Sequence, residues 1–332
     1  MVVALSSEHP TGEQPNWHLF NDFLVRKVPH TEALSFTRKW KLPSVLIFQL
    51  RSPRSTVSHA WQAKINPWIL YTDFNYMGTP RREPTVIPLD KDTEEPPCPG
   101  TLIALDAEFV SLQTEESEVK ADGSRVVVRP SRLGLARVSV LRGSGELEEN
   151  PFLDDYIATK DNVVDFLTEY SGIHPGDLDP LTSRHALVSL KVAYKRLWIL
   201  LNLGCVFIGH GLLKDFRIIN LHVPRHQVID TVDLFILRSS NRKLSLRFLA
   251  WNVLGDAIQT ETHDSIEDAR TALKLFKKYQ EYTDAGVIDQ ILDRIYTEGI
   301  RCGFKPPVPA VGGQMGRLQQ GASRSESSTP GV

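Results

Sequence analysis

Cysteine is scarce in this sequence of 332 residues, which contains only Cys98, Cys205 and Cys302. An odd number of cysteines without paired spacing excludes both a disulfide framework and a zinc site of the CxxC type. The scarcity favours a reducing compartment, and we expect the cytosol or the nucleus.

Long apolar runs and a net positive charge are also missing. The longest apolar stretch, residues 197–209, is interrupted by Asn202 and is too short to span a bilayer. The N-terminal segment MVVALSSEHPTGEQ lacks the basic start and apolar core of a secretory signal. The chain has 38 Lys and Arg against 40 Asp and Glu, so no overall positive field attracts a nucleic acid. Any polyanion must therefore be bound by a local site.

Changes in composition divide the chain. Residues 15–78 combine many aromatic residues with short β-type runs, which predicts a small β-rich unit that is too short to bury a core well by itself. Residues 79–99 are rich in proline and charge, and we expect an extended linker there rather than a packed element. Residues 303–332 consist largely of Gly, Pro, Ser and Gln, which predicts a disordered tail.

From residue 101 onward, strand patterns alternate with helix patterns. Strand-like alternation occupies residues 101–110 and 133–141, and helical spacing starts at Thr182 and continues to Leu201. Further short strands are predicted at 205–208 and 228–229, and further helices at 212–219, 231–237, 244–254 and 266–282. This order predicts an α/β domain over residues 100–285, a mixed β-sheet flanked by helices, followed by a C-terminal helix over residues 286–302.

Two acids stand inside the apolar strand pattern LIALDAEFV. Asp106 and Glu108 are separated by one residue, so their side chains project from the same face of a strand. Neighbouring carboxylates repel each other and are costly to bury, and a hard divalent cation such as Mg²⁺ is the usual compensation. The alternative is an exposed strand with two solvated acids. The apolar residues on both sides of the pair argue against this alternative.

Three further candidates follow later in the chain. Asp215 comes after a short predicted strand and a GHG turn, although the helix dipole alone also favours an acid near a helix start. His263 and Asp268 have the spacing H-x-x-x-x-D, which chance produces about once in a sequence of this composition. Asp264 and Glu267 form a capping box, which places the histidine just before a helix and Asp268 in its first turn. A histidine in that position is suited to accept a proton from water.

Taken together, these positions resemble the site of the DEDDh 3′→5′ exonucleases, a family with an RNase H-like fold. In that family, D-x-E lies on the first strand, D follows a later strand, and H-x-x-x-x-D belongs to a late helix. The resemblance covers about residues 100–285 and implies hydrolysis assisted by two divalent metal ions, Mg²⁺ or Mn²⁺. The implied metal ligands are Asp106, Glu108, Asp215 and Asp268, and the implied general base is His263.

Within that family, the sequence is similar to the catalytic subunits of poly(A) nuclease (PAN) deadenylases. Segments that carry the similarity include FIGHGLLKDFRIINL and THDSIEDARTALKLFKKY. The block WHLFNDFLVRKVPHTEAL resembles the last strands of ubiquitin-specific proteases, and PAN catalytic subunits have such a domain before the nuclease. The resemblance therefore implies that residues 1–78 are the C-terminal part of an inactive ubiquitin-hydrolase-like domain, since no cysteine precedes this block to act as nucleophile.

The resemblance also implies a reaction and partners. The implied reaction shortens poly(A) tails of messenger RNA in the 3′→5′ direction and releases 5′-AMP. The implied partners are single-stranded poly(A) RNA, a pseudokinase-like regulatory subunit and, indirectly, poly(A)-binding protein. The implied location is the cytoplasm, including its P-bodies, and no membrane is expected. The residues themselves do not select adenine, so an exonuclease for another RNA or for DNA stays open, as does a non-catalytic protein-binding scaffold.

Three residues are candidates for contacts with the substrate. Phe109 follows the acidic pair directly and is placed to stack on the terminal base, with core packing as the alternative. Arg242 and Lys243, in the segment RSSNRKLSLR, are candidates for phosphate contacts, with a solvated helix start as the alternative.

Overall fold

The computed structural model describes residues 2–7, 16–21, 24–33, 65–67, 69–72, 77, 86–120, 122–237, 239–240 and 242–307. The chain divides into two compact units, Met1–Ala63 and Lys64–Val332. Residues 65–78, which their composition groups with the first segment, therefore lie in the second unit. Most of the predicted tail, from residue 308 onward, lies outside the described residues.

The first unit contains a three-stranded antiparallel sheet. Strand β2 (Asn16–Asn21) lies between β1 (Val2–Ser7) and β3 (Leu24–Val28), and the short helix α1 (His30–Ala33) follows. Its buried residues include Leu19, Val28 and Ala33. Strands β2 and β3 lie in the block that resembles the last strands of ubiquitin-specific proteases, whereas the predicted β-type run at residues 44–50 lies outside the described residues.

The second unit is built on a six-stranded mixed sheet, as predicted. Its strands are β4 (Leu102–Gln113), β7 (Arg132–Arg142), β8 (Pro151–Ala158), β9 (Leu187–Ser189), β10 (Val206–Gly209) and β11 (Val228–Asp230). The spatial order is β11-β10-β4-β7-β8-β9; β7 is antiparallel to β4 and β8, and the other neighbours are parallel. Strands β5 (Glu116–Val119) and β6 (Arg125–Arg129) form a separate hairpin. Strand β4 is thus an interior strand.

Helices cover both faces of this sheet. On one face, Leu105 belongs to the same core cluster as residues of α4 (Leu190–Asn202) and α5 (Leu212–Ile219). On the other face, Ala104 clusters with residues of α8 (Ser265–Asp284). Alternation along β4 therefore puts residues 106 and 108 on the face that α8 covers. The other helices are α2 (Ile69–Thr72), α3 (Thr168–Ser171), α6 (Thr231–Leu234), α7 (Leu246–Leu249), continued by a π-helical turn (Ala250–Leu254), and α9 (Ile288–Cys302).

The helix predicted from Thr182 is wrong over its first part. Leu187–Ser189 forms β9, which pairs in parallel with β8, and α4 begins only at Leu190. The Ser189 hydroxyl caps that helix by accepting from the backbone N–H of Val192. Pairing with a strand about thirty residues earlier thus overrides the helical spacing of the apolar residues. Strand β8 and the hairpin were not predicted.

The described part of the predicted linker, residues 86–99, contains a turn at residues 91–94 and packs against the sheet, so the prediction of an unpacked connection is wrong. Arg142, buried at the end of β7, donates to the backbone oxygens of Ile87 (3.0 Å) and Pro88 (3.2 Å). It also makes two hydrogen bonds of 2.6 Å to the carboxylate of Glu94. A buried guanidinium needs partners for its donors, and this segment supplies them. Among the described helices, none combines the length and apolarity needed to cross a membrane.

Candidate active site

Strand β4 and helix α8 bring three of the predicted acids together. Asp106 and Glu108 lie on the α8 face of β4, and Asp268 stands in the first turn of α8, as predicted. The buried Ser265 hydroxyl donates to the backbone oxygen of Asp106 (3.0 Å), which fixes the start of the helix on the strand. Glu108 and Asp268 are only 6% and 4% exposed. The exposed-strand interpretation of the acidic pair is therefore wrong.

The cap of α8 positions the histidine. Asp264 is the N-cap, and its side chain accepts from the backbone N–H groups of Ile266 and Glu267, at 3.0 Å each. His263 therefore lies just outside the helix, as predicted, with Nδ1 3.4 Å from the Asp268 carboxylate. The other half of the predicted capping box differs, because Glu267 accepts from the N–H of Gln259.

The fourth acid comes from α5, a helix on the other face of the sheet from α8. Asp215 lies in the first turn of α5, the helix that follows β10. Burial raises the pKa of Asp215 to about 7, although the neighbouring Lys214 acts in the opposite direction. An acid that is half protonated near neutral pH is one that a bound cation would readily ionise.

The pKa values of the two acids on β4, and the hydrogen bonds of their oxygens, show whether these acids suit a metal ion. Burial, followed by repulsion from Asp268, raises the pKa of Glu108 to about 9. Burial and repulsion from Glu108 raise the pKa of Asp106 well above its ordinary value. Glu108 Oε1 and Asp268 Oδ1 are buried and have no hydrogen-bond partner among the described residues. Such oxygens are the ligands that a hard divalent cation requires.

Two of these residues, together with His263, also meet a distance requirement. Glu108, His263 and Asp268 each offer one ligand atom, and these atoms all lie within 4.8 Å of one another. These three residues therefore fit a divalent cation, and the other two implied ligands, Asp106 and Asp215, line the same cavity but are not part of this group.

One cavity of about 540 Å³ contains the predicted site. The register of the β4–β7 ladder shifts after Glu108, where Ala136 of β7 is left without a partner, and Phe109 lines the same cavity as Glu108. Phe109 also packs against the core, in agreement with the alternative interpretation, and its stacking on a base stays a prediction. The predicted residues that line the cavity are Asp106, Glu108, Phe109, Asp215, His263 and Asp268.

The two predicted phosphate contacts do not line this cavity. The guanidinium carbon of Arg242 lies 3.9 Å from the centre of the Phe304 ring, and Lys243 is exposed. Their contact with a substrate stays a prediction.

Three other residues of the cavity were missed by the sequence reasoning. Tyr170 is 63% exposed and its ring contacts His263 edge-on, with centroids 6.2 Å apart. Lys214 brings a positive charge, and Gln259 brings an amide. Of these three residues, only Lys214 could have been found from the sequence, because it directly precedes the predicted ligand Asp215.

Comparisons with known proteins agree with the motifs. Residues 103–276 match the RNase_T family model, which is described as an exonuclease. The chain is 51% identical, over 99% of its length, to the catalytic subunit pan2 of the PAN2-PAN3 deadenylation complex of Aspergillus clavatus. It is 54% identical, over 92% of its length, to the corresponding subunit of Phaeosphaeria nodorum. It spans 29% and 27% of the lengths of these curated relatives.

Solved structures of related proteins have the same fold. The Neurospora crassa Pan2 catalytic unit, with protease and nuclease domains, has a TM-score of 0.73 and 44% identity, covering 89% of this chain and 45% of that one. The Saccharomyces cerevisiae Pan2 pseudoubiquitin hydrolase-RNA exonuclease module with AAUUAA RNA has a TM-score of 0.78 and 42% identity, covering 92% and 49%. The same module with A7 RNA has a TM-score of 0.75 and 41% identity, covering 92% and 48%.

Proposed function

The chain belongs to the RNase_T exonuclease family, and from that premise we propose that it is a poly(A)-specific 3′→5′ exoribonuclease. In this proposal it shortens the poly(A) tails of messenger RNA and releases 5′-AMP. One observation carries the proposal: four acids and a histidine, far apart in the sequence, line a single cavity. Two of the carboxylates have buried oxygens without hydrogen-bond partners in the described part of the chain.

Each site residue has a role that follows from its surroundings. Asp106, Glu108, Asp215 and Asp268 would hold two divalent metal ions, which we propose to be Mg²⁺. When bound, such ions stabilise the attacking and leaving oxygens of an in-line displacement at phosphorus. His263 is 30% exposed at its side chain, so it reaches both solvent and the buried acids. We assign it the proton of the attacking water.

The substrate and partners rest on the relatives. Proteins about half identical to this chain are named as catalytic subunits of a deadenylation complex, and a related module was solved with A7 RNA. We therefore propose poly(A) as substrate, and as partners a pseudokinase-like regulatory subunit, corresponding to PAN3, and indirectly poly(A)-binding protein. We also propose a cytoplasmic location, including P-bodies.

Side-by-side digestion of homopolymers tests the proposal. Purified chain is incubated with 5′-labelled oligo(A), oligo(U) and single-stranded DNA of equal length, with Mg²⁺ or with EDTA. We expect stepwise shortening of oligo(A), release of 5′-AMP, and activity only with Mg²⁺. The variant Asp106→Asn serves as the inactive control. Equal or faster digestion of oligo(U) or DNA would support the broader exonuclease alternative, and digestion of none would refute the catalytic proposal.

A further inference from the structure

One side-chain amide contacts two residues of the site. Nε2 of Gln259 donates a hydrogen bond of 2.7 Å to Oδ2 of Asp268 and lies 3.3 Å from Nδ1 of His263. The carboxylate decides the orientation of the amide, because an amide oxygen in this place would be repelled and an NH₂ group is attracted. One NH₂ group thus faces an implied metal ligand and the implied base together.

The backbone of Gln259 is fixed by the same helix. Its N–H donates to Oε2 of Glu267 (3.1 Å), the residue that would otherwise complete the capping box at Asp264. Its φ is +52°, in the left-handed region that residues other than glycine rarely adopt. Such conformations persist where the surrounding structure imposes them, and they cluster at active sites.

The two oxygens of Asp268 have different surroundings. Oδ2 accepts from Gln259, whereas Oδ1 is buried without a hydrogen-bond partner in the described part of the chain, as is Oε1 of Glu108. The hydrogen bond from Gln259 therefore fixes the rotation of the carboxylate and leaves the other oxygen for a cation. Groups that hydrogen-bond to metal ligands in this way commonly tune metal affinity and activity.

We propose that Gln259 is a positioning residue, which orients the Asp268 carboxylate as a metal ligand beside the His263 imidazole. The proposal rests on the function proposed above for this site. It predicts that Gln259 acts on metal binding and on turnover, and that it leaves the affinity for nucleic acid unchanged.

Two substitutions separate this role from a structural one. Gln259→Met keeps the length of the side chain and removes its donors. Gln259→Gly also removes the amide but relieves the left-handed backbone, so a loss that both variants share does not come from backbone strain. Gln113→Met is the matched control, because Gln113 donates to the backbone oxygen of Pro130 (2.7 Å) at the exposed end of β4.

The variants are compared by steady-state kinetics on oligo(A) and by calorimetric titration with Mn²⁺ in the absence of nucleic acid. For both Gln259 variants we expect kcat to fall about 10- to 100-fold, KM to stay constant, and the Kd for Mn²⁺ to rise about tenfold or more. The Gln113 control should match the parent in all three values.

Two results would overturn the proposal. One is parental kcat and parental Mn²⁺ affinity in both Gln259 variants. The other is a higher KM at constant kcat, which would make the amide a substrate contact. The Mn²⁺ titration needs no substrate, so it still tests Gln259 if the parent digests none of the nucleic acids tried, a result that would count against the proposed function alone.

Discussion

Arg137 donates a hydrogen bond of 3.1 Å to Asp264 from a position directly opposite Glu108 in the β4–β7 ladder. The guanidinium is buried, and it also makes two hydrogen bonds, of 2.7 and 3.2 Å, to Asp154 on β8. One buried cation thereby joins β7, β8 and the N-cap of α8. Because His263 directly precedes that cap, the ion pair holds the histidine against the sheet that carries the acids.

Replacing Asp264 by asparagine tests this connection, because asparagine caps helices about as well as aspartate. Burial alone would raise the pKa of Asp264, but the charge of Arg137 and the backbone N–H groups outweigh it and hold the pKa below its usual value. A depressed carboxyl pKa stabilises the fold above the unfolded value of about 3.9, and this contribution is lost as the pH falls through the folded value. The Asp264 side chain is 53% exposed, so we expect Asp264→Asn to cost about 1 kcal/mol or less at pH 7.

Urea unfolding between pH 7 and pH 3 measures this contribution. The gap in the free energy of unfolding between parent and variant should shrink as the pH falls, because acid protonates Asp264 in the parent. Asp230→Asn is the control, since Asp230 caps α6 by accepting from the backbone N–H of Val232 and also accepts from that of Gly211. If the difference in free energy of unfolding between parent and Asp264→Asn stays constant down to pH 3, it does not come from the ion pair between Arg137 and Asp264.

Glu108 should destabilise the metal-free fold at neutral and mildly alkaline pH. Its pKa of about 9 lies above the unfolded value of about 4.3, so the folded chain binds a proton that the unfolded chain has lost. Stability is therefore lost as the pH rises from about 4.3 toward 9. Glu108→Gln removes this titration, and we expect it to raise the free energy of unfolding by roughly 1 kcal/mol or more at pH 8 in EDTA. Thermal unfolding should show a Tm higher by about 2–4 °C per kcal/mol, while hydrolysis is abolished.

Glu108→Gln should be more stable than the parent in EDTA, and adding a divalent metal ion should make the parent the more stable of the two. At about 100 times its Kd, a cation that binds only the folded chain adds about 2.7 kcal/mol, and it must displace protons from carboxyl groups with raised pKa values. We expect Mg²⁺ or Mn²⁺ to raise the Tm of the parent strongly and that of Glu108→Gln weakly. Titrations in buffers of different ionisation enthalpy should detect the released protons. Equal Tm shifts in both chains would mean that Glu108 is not a ligand.

Site residues could be predicted from the sequence where their positions depend only on residues nearby in the chain. Alternation puts Asp106 and Glu108 on one face of a strand, and the cap at Asp264 fixes where α8 begins, so a few neighbouring residues suffice for both. Asp215 joins them because its helix follows a strand of the same sheet.

The rest of the site depends on contacts between distant segments. Arg137 has partners 17 and 127 residues away, which no periodicity reveals. The strand at Leu187–Ser189 exists because β8 lies beside it. The guanidinium of Arg242 lies on the Phe304 ring, which the C-terminal segment brings there, and the basic residues around Arg242 do not indicate this contact.

Gly172 permits a close approach that the site requires. Its φ is +63°, and a Cβ at this position would collide with the backbone oxygen of His263. We expect Gly172→Ala to destabilise the fold by roughly 1–3 kcal/mol and to lower kcat by displacing the histidine. Gly286→Ala is the matched control, because Gly286 has a φ of +68° and nothing within 4 Å of the added Cβ. The control should lose stability only through its backbone and keep the parental kcat; an equal kcat for both variants would refute the displacement.

Tyr170 offers an exposed aromatic face at the site. Its side chain is 63% exposed beside His263 and lines the same cavity, which is the arrangement on which an unpaired base stacks. Stacking on one aromatic side chain contributes about 1–3 kcal/mol per base, so Tyr170→Leu should raise the KM for oligo(A) roughly tenfold or more. Tyr170→Phe should keep the parental KM because it keeps the ring, and Tyr194→Leu, on the surface of α4, controls for loss of an exposed tyrosine. A fall in kcat at constant KM in Tyr170→Leu would instead mean that the ring supports His263.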